Sequence, residues 1–399
     1  MSMGNHPVDH RLIRSVRFFL GGEMGKNTFL LWTFLLLVTT SLFVLLGACS
    51  HPPEEPIKIG LSINLSGRGG EAGEHIRNGA QLAVDEVNAQ GGIHGRPLML
   101  LVRDDENSDK GIEKADTSLL DEKVVAIIGH SLSANTVKAY PLVTSHDTVL
   151  ITAYTATTKL SGKDDLFFRT AIDCNLYGVK TAALLKAKGI TSVSVLMDMN
   201  NADFVEDYVA QLQKYYQGSL TTVQFKSQGN ADWHQLAGDL LAPNPEAVLL
   251  LTESSMTAVA VQKLRELKFN GPLIASIWAQ SPELLRIGGP AMEGLSMVSF
   301  VDPDNKRPEY LKFSKELNEK FHKTATARAD RSYEMVYILA DALKRCKIID
   351  AQSLKVALLQ GKYESVLGPV KFDSYGDVIR PVYEIVVRDG KFANGGYIK

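Results

Sequence analysis

The sequence predicts an α/β protein of two lobes, each a mainly parallel sheet with helices on both faces. Three observations carry this. Short runs rich in β-branched and aliphatic residues alternate with amphipathic helical segments along most of the chain, the order that builds parallel sheets. The alternation halts near residue 170 and then restarts, giving two series rather than one. A chain of 399 residues also exceeds what a single hydrophobic core serves, so two packed units are expected.

The first 56 residues stand apart from that pattern. Residues 29–46 are an 18-residue, mostly apolar run without a charge. By length alone this run could span a bilayer as an uncleaved anchor. Lys26 before it, small Gly47 and Ala48 after it, and the abrupt turn to Ser50-His51-Pro52-Pro53-Glu54-Glu55-Pro56 read instead as a signal peptide cleaved before Cys49. Leu46-Gly47-Ala48-Cys49 is similar to the bacterial lipobox, which implies lipidation of the Cys49 sulfur and acylation of its new amine. Several acyl chains anchor a protein firmly where one holds it marginally. Met24 opens a signal of ordinary length, so residues 1–23 read as an over-long gene start. Removing 1–48 leaves 351 residues outside the cytoplasm, with 49–56 as a stiff, extended tether.

The first series begins with the strand "IKIGLSI" (57–63). Ile76, Ala80, Ala83, Val84 and Val87 recur at helical spacing and predict a helix over 74–90, stopped by "GGIHG". Strands at 97–102, 124–129 and 148–152 follow, separated by a helix over 112–122 and another capped near Ser133. After "LFFRT" (166–170) the second series gives helices over 178–188, 203–215, 233–241 and 256–267. They alternate with strands at 192–197, 220–225, 246–251 and 272–276. "PEYLKFSKELNEKF" and "RSYEMVYILADALKRC" read as tail helices, and "VLGPVKFDSYGD" with "PVYEIVVRDGKF" as a hairpin.

Composition excludes several classes of function. Lys plus Arg number 43 against 45 Asp plus Glu, a net charge of −2, so no basic excess drives binding to nucleic acid or to an anionic membrane. The three cysteines, Cys49, Cys174 and Cys346, form neither a disulfide framework nor a zinc pattern. Cys174 and Cys346 read as two separate buried thiols. No nucleophile–base pair, metal cluster or phosphate loop stands out, so neither an enzyme nor a metal or organic cofactor is expected. His130, at a strand end, reads as a hydrogen-bonded structural histidine.

"IKIGLSINLSGRGGEAGEHIRNGAQLAVDEVNAQGGIHGRPLMLLVRDDENSD" resembles the opening of the leucine/isoleucine/valine-binding protein family, the type I periplasmic binding proteins that serve ATP-driven importers. "VVAIIGHSLSANT", "VLITAYTATTKLS", "LFFRTA", "RSYEMVYILADAL" and "VLGPVKFDSYGD" continue it, over about residues 57–390. The resemblance implies the two-lobed type I fold with three hinge crossings, expected near Ile172, Val301 and Leu367. It places the first lobe at 57–171 plus 302–366 and the second at 172–301 plus 367–399. It also implies a monomer that closes on a small ligand, an amino acid or another small carboxylate, and presents it to an ABC permease. A regulatory envelope lipoprotein acting on another protein is the alternative.

The cleft residues follow from the resemblance position by position. Ser133 matches a serine that binds the ligand's carboxylate, and a serine at a helix N-cap would offer a hydroxyl beside unpaired amides. Tyr154 and Ala156 stand where the family offers a backbone carbonyl and a threonine hydroxyl; Thr155 or Thr157 could replace the latter if the loop shifts by one. Trp278 takes the place of the acidic partner for the ligand's ammonium. Glu253 stands where a covering tyrosine is expected, and Ala72 and Ala202 replace two further tyrosines. A buried ammonium needs a charged or strongly polar acceptor. Either Glu253 supplies it from a new direction, or the ligand lacks an ammonium and Trp278 stacks on an apolar or aromatic body. Arg68 and Arg77 are further candidates for a second carboxylate, with surface charge the plainer reading.

Overall fold

Ile57, Ile59, Leu61 and Ile63 are all buried, and so are Gly60 and Ser62 between them, because strand β1 (Ile57–Ile63) is covered on both faces. The computed structural model describes residues 55–399. The signal peptide, Cys49 and nearly all of the tether lie outside the described residues, as does the side chain of Arg68.

After β1 come α1 (Gly70–Ala89), β2 (Leu98–Asp104), α2 (Asp109–Asp121), β3 (Ala126–Gly129), α3 (Ser133–Thr144), β4 (Val149–Thr152) and β5 (Phe167–Arg169). Their five strands form one parallel sheet in the order β2-β1-β3-β4-β5. The second series is α4 (Cys174–Ala187), β6 (Ser192–Asp198), α5 (Ala202–Tyr215), β7 (Ser219–Phe225), α6 (Trp233–Leu241), β8 (Ala247–Leu251), α7 (Ser254–Glu266), β9 (Leu273–Ser276), α8 (Pro282–Gly288) and β10 (Ser296–Ser299). The tail holds α9 (Pro308–Phe321), α10 (Ala329–Arg345), α11 (Ala351–Gln360), β11 (Tyr363–Ser365), β12 (Gly368–Val370), β13 (Tyr383–Arg388) and β14 (Lys391–Tyr397). The second sheet runs β14-β13-β10-β9-β8-β6-β7, parallel except at β13 and β14. This is the α/β, two-sheet architecture that the alternation predicts.

Three expectations change. Helix α1 starts at Gly70, four residues before the expected 74. Its first turn lies against the loop after β1, where a Cβ on Gly73 would fall 1.9 Å from the Asn64 carbonyl oxygen; the glycines permit this approach rather than break the helix. Strand β10 and helix α8 are additions, both too short to show a period. The tail forms two hairpins instead of one: β11 pairs with β12, and β13 with β14. Asp389 and Gly390, at φ 50° and 67°, make the second turn, since Asp-Gly suits the left-handed positions of a two-residue hairpin loop.

Helices α10 and α11 pack in the core of the first sheet with α1. Gly79 of α1 meets the start of α10 so closely that a Cβ there would lie 2.1 Å from the Ala329 carbonyl oxygen. That contact sets the depth of the α10 N-terminus beneath the cleft. Ile172 and Val301 are buried in the second core, and Leu367 packs against both cores. Cys174 and Cys346 are free, buried, and in different cores. Among the described residues no helix is long and apolar enough to cross a membrane, and no cluster of metal-ligating side chains occurs.

Candidate functional site

The loops after β1, β3, β4, β6, β8 and β9 converge on one cleft, together with the N-terminus of α10. Ligands of open parallel sheets bind at such carboxyl ends. The cleft has two parts. An inner chamber of about 30 Å³ is walled by Tyr154, Ala156, Tyr177, Phe204 and Trp278, with Arg328 and Arg331 at its base. A volume of that size holds about two waters. An outer groove of about 330 Å³ shares Ser131, Trp278 and Arg328 with it.

The two arginines define the electrostatics. Both are buried, at 7% and 4% exposure, and among the described residues neither has a carboxylate in ion-pair contact. Arg331 donates through Nε to the Ala327 carbonyl and through Nη1 to the Ala153 carbonyl at 2.9 Å, with its guanidinium 4.5 Å from the Tyr154 ring centre. Arg328 donates through Nη2 to the Trp278 carbonyl at 3.1 Å. Burial, reinforced by the Arg331 charge, lowers the pKa of Arg328. Asp330 lies between them in sequence, and burial lifts it to about 7 even though Arg331 opposes the shift. Two fixed guanidinium groups beside a small chamber of mixed aromatic and polar lining attract an anion, and a guanidinium fork suits a carboxylate.

The residues expected from the sequence divide. Tyr154, Ala156 and Trp278 line the inner chamber, and Trp278 also lines the groove. The Tyr154 hydroxyl donates to the Arg328 carbonyl at 2.7 Å, and burial keeps the phenol neutral. Trp278 packs edge-on against Phe204 at 6.0 Å. Glu253 lines the groove while its carboxylate caps α7, accepting the amides of Ser255 and Met256 at 2.9 and 3.1 Å. Ala72 also lines the groove, Ala202 opens α5, and Arg77 is exposed beside Asn78.

Ser133 is not the helix cap expected. Leu132 occupies the N-cap, and Ser133 is the first helical residue. Its buried hydroxyl accepts the Ala156 amide at 3.1 Å, tying the loops after β3 and β4 together. The next amide, of Ala134, donates to the Asn201 side chain at 3.1 Å. Asn201 follows β6, so the second sheet's loop already satisfies this donor. Thr155 is equally engaged, its hydroxyl 2.5 Å from that of Thr136, and Thr157 donates to Asp207 at 3.1 Å.

Under this floor His130 is fully buried between two acids, with Nδ1 at 2.7 Å from Asp105 and Nε2 at 3.1 Å from Asp116. Burial opposes its charge, but Asp116 and Asp105 outweigh that and raise its pKa to about 9. It is therefore an imidazolium at neutral pH, bonded as a structural histidine.

Sequence reasoning missed Arg328 and Arg331, although a signal existed. "ARADRSYEM" sets two arginines at the start of an otherwise buried helix, where the helix dipole disfavours cations. Basic residues in such a place are the kind of signal that marks a candidate anion site. Tyr177, Phe204 and Asn201 carried no such mark, since nothing in the sequence distinguishes them from core residues.

The sequence profile described as "Periplasmic binding protein" matches residues 56–391. A "Leu/Ile/Val-binding protein homolog 1" from Brucella suis is 28% identical over 375 residues, covering 86% of this chain and 92% of the relative. The crystal structure of a leucine binding protein from Thermotoga maritima superposes with a TM-score of 0.79 at 23% identity, covering 86% of this chain and 99% of that one. An ABC transporter solute binding protein from R. palustris in complex with benzoate gives 0.77 at 17%, covering 86% and 96%.

Proposed function

This chain belongs to the periplasmic binding protein family, whose members bind solutes without chemistry, and from that premise we propose that it captures a small organic carboxylate between its lobes and presents the closed form to an ABC-type permease. In this reading the chain is exported and held at the membrane through a lipidated Cys49, and its lobes are those drawn from the sequence: 57–171 with 302–366, and 172–301 with 367–399.

The observation that carries the reading is the pair of buried arginines, Arg328 and Arg331, which among the described residues have no carboxylate in ion-pair contact and which border an aromatic chamber. The ligand's anion sits against them. Its body lies against Trp278 where the chamber opens into the groove, and the relatives' ligands suggest a branched aliphatic or an aromatic group. With Trp278 standing in place of an acid, an aromatic carboxylate fits this wall better than an α-amino acid does.

The experiment is a thermal-shift and calorimetric comparison of benzoate, leucine and uncharged benzamide on the purified protein. A ligand at 100 times its Kd stabilises the native state by about 2.7 kcal/mol. Benzoate is expected to raise the melting temperature and benzamide to leave it unchanged. Equal shifts by benzoate and benzamide, or none by any carboxylate, would overturn the reading.

A further inference from the structure

We propose that Tyr177 is a specificity-determining residue of the inner chamber, its phenol hydroxyl donating to a carboxylate oxygen of the ligand opposite the guanidinium of Arg331. The inference rests on the carboxylate reading of that chamber and deepens it: one anion is bonded from both halves of the cleft.

Tyr177 lies in the first turn of α4, just past the buried Ile172, and its amide donates to the Asp173 carbonyl at 3.0 Å. Close packing fixes the ring. Gly178 lets α4 approach α5 so tightly that a Cβ there would fall 2.7 Å from the Gln211 carbonyl carbon. The Tyr177 ring stacks on Tyr208 at 5.5 Å between centroids and meets Phe204 edge-on at 6.5 Å. The position of its hydroxyl is therefore set by a packed helix pair rather than by a flexible side chain.

Tyr177 is only 1% exposed and borders the chamber, yet among the described residues its hydroxyl has no hydrogen-bond partner. Its neighbours are satisfied. The Tyr154 hydroxyl donates to the Arg328 carbonyl at 2.7 Å, and that of Tyr208 lies 2.5 Å from the Thr181 hydroxyl. A buried hydroxyl left unbonded costs stability, so a donor in this state points to an acceptor that arrives with the ligand. Burial pushes the phenol's pKa well above its ordinary value, so the proton to be donated is present throughout the neutral range.

Arg331 faces the same chamber. Its Nε and Nη1 are engaged by the carbonyls of Ala327 and Ala153, and among the described residues Nη2 makes no hydrogen bond. Of the charges that act on the Tyr177 phenol, that of Arg331 is the strongest. A chamber of about 30 Å³ holds about two waters, which is the room two carboxylate oxygens need. Tyr177 belongs to the core of the second sheet, whereas α10 packs in the core of the first. An oxygen bonded to both therefore ties the two halves together, the differential contact that closure requires.

Calorimetry with benzoate on the wild type, Tyr177→Phe and Tyr208→Phe tests this. Tyr208→Phe is the control, because it removes from the adjoining ring a hydroxyl that is bonded within the protein. Tyr177→Phe is expected to weaken benzoate binding about tenfold or more, the value of one hydrogen bond to a charged group. Its ligand-free melting temperature should be unchanged or higher. Tyr208→Phe is expected to do the reverse, with a lower melting temperature and an unchanged dissociation constant. The calorimetric stoichiometry gives the folded fraction of each sample, so affinities are compared on folded protein. Benzoate bound equally by the wild type and Tyr177→Phe would overturn the assignment and leave the carboxylate site standing. An equal loss in both variants would also overturn it, since softening of α4 and α5 would then suffice. Failure of the wild type to bind benzoate would overturn both readings.

Discussion

Raising the pH from 6.5 to 9 should remove roughly 3 kcal/mol of folding stability through one residue, His130. In the unfolded chain its imidazole titrates near the ordinary value of 6.5; in the fold, Asp116 and Asp105 overcome the burial penalty and hold it near 9. A group whose pKa is higher in the folded state contributes its stability in full below the unfolded pKa and loses it as pH rises through the folded one. The window is thus 6.5 to 9, and a difference of about 2.5 units at about 1.4 kcal/mol per unit gives the magnitude. The assay is urea denaturation at half-unit pH steps on the wild type and on Asp105→Asn/Asp116→Asn. The variant removes both carboxylates, so burial alone acts on His130, keeps it neutral, and the slope in this window should vanish. A wild-type curve that stays flat from 6.5 to 9, or a variant with the same slope, would refute the reasoning.

Further outcomes follow from single contacts. Ser133→Ala strands the buried Ala156 amide without its acceptor and should cost about 1–3 kcal/mol in denaturant unfolding. Gly79→Ala places a methyl 2.1 Å from the Ala329 carbonyl, so α1 and α10 must separate. A loss of about 1–3 kcal/mol is expected, with weaker carboxylate binding by calorimetry because Arg328 and Arg331 move with α10. Trp278→Ala removes the ring shared by chamber and groove and should weaken benzoate binding about tenfold or more, the value of burying one large apolar side chain.

Much of the architecture was legible because it rests on period and punctuation. Strand β1 matches its expected span of 57–63, and helix α6 matches its expected 233–241, where Asp232 caps the first turn through the amides of His234 and Gln235. What escaped was short or conditional on tertiary contact. A four-residue strand such as β10 shows no period, and the Asp389-Gly390 turn was read as part of a longer hairpin arm. The cleft was harder to read for a related reason. Position-by-position resemblance brings Tyr154, Ala156 and Trp278 to the inner wall, but it carries no information about which donors the protein satisfies internally. Ser133 and the amides after it were expected to face a ligand, yet the Ser133 hydroxyl holds the Ala156 amide and the first of those amides, that of Ala134, holds Asn201. Arg328 and Arg331, which border the same chamber, come from a helix that the sequence marks chiefly by its buried face.

The most direct test is a crystal structure of the protein grown with benzoate. The carboxylate oxygens should lie about 2.7–2.9 Å from guanidinium nitrogens of Arg328 or Arg331, with the ring against Trp278. A carboxylate seated instead on the amides of Ser133 and Ala134, with Asn201 displaced and both arginines left without an anion, would contradict it.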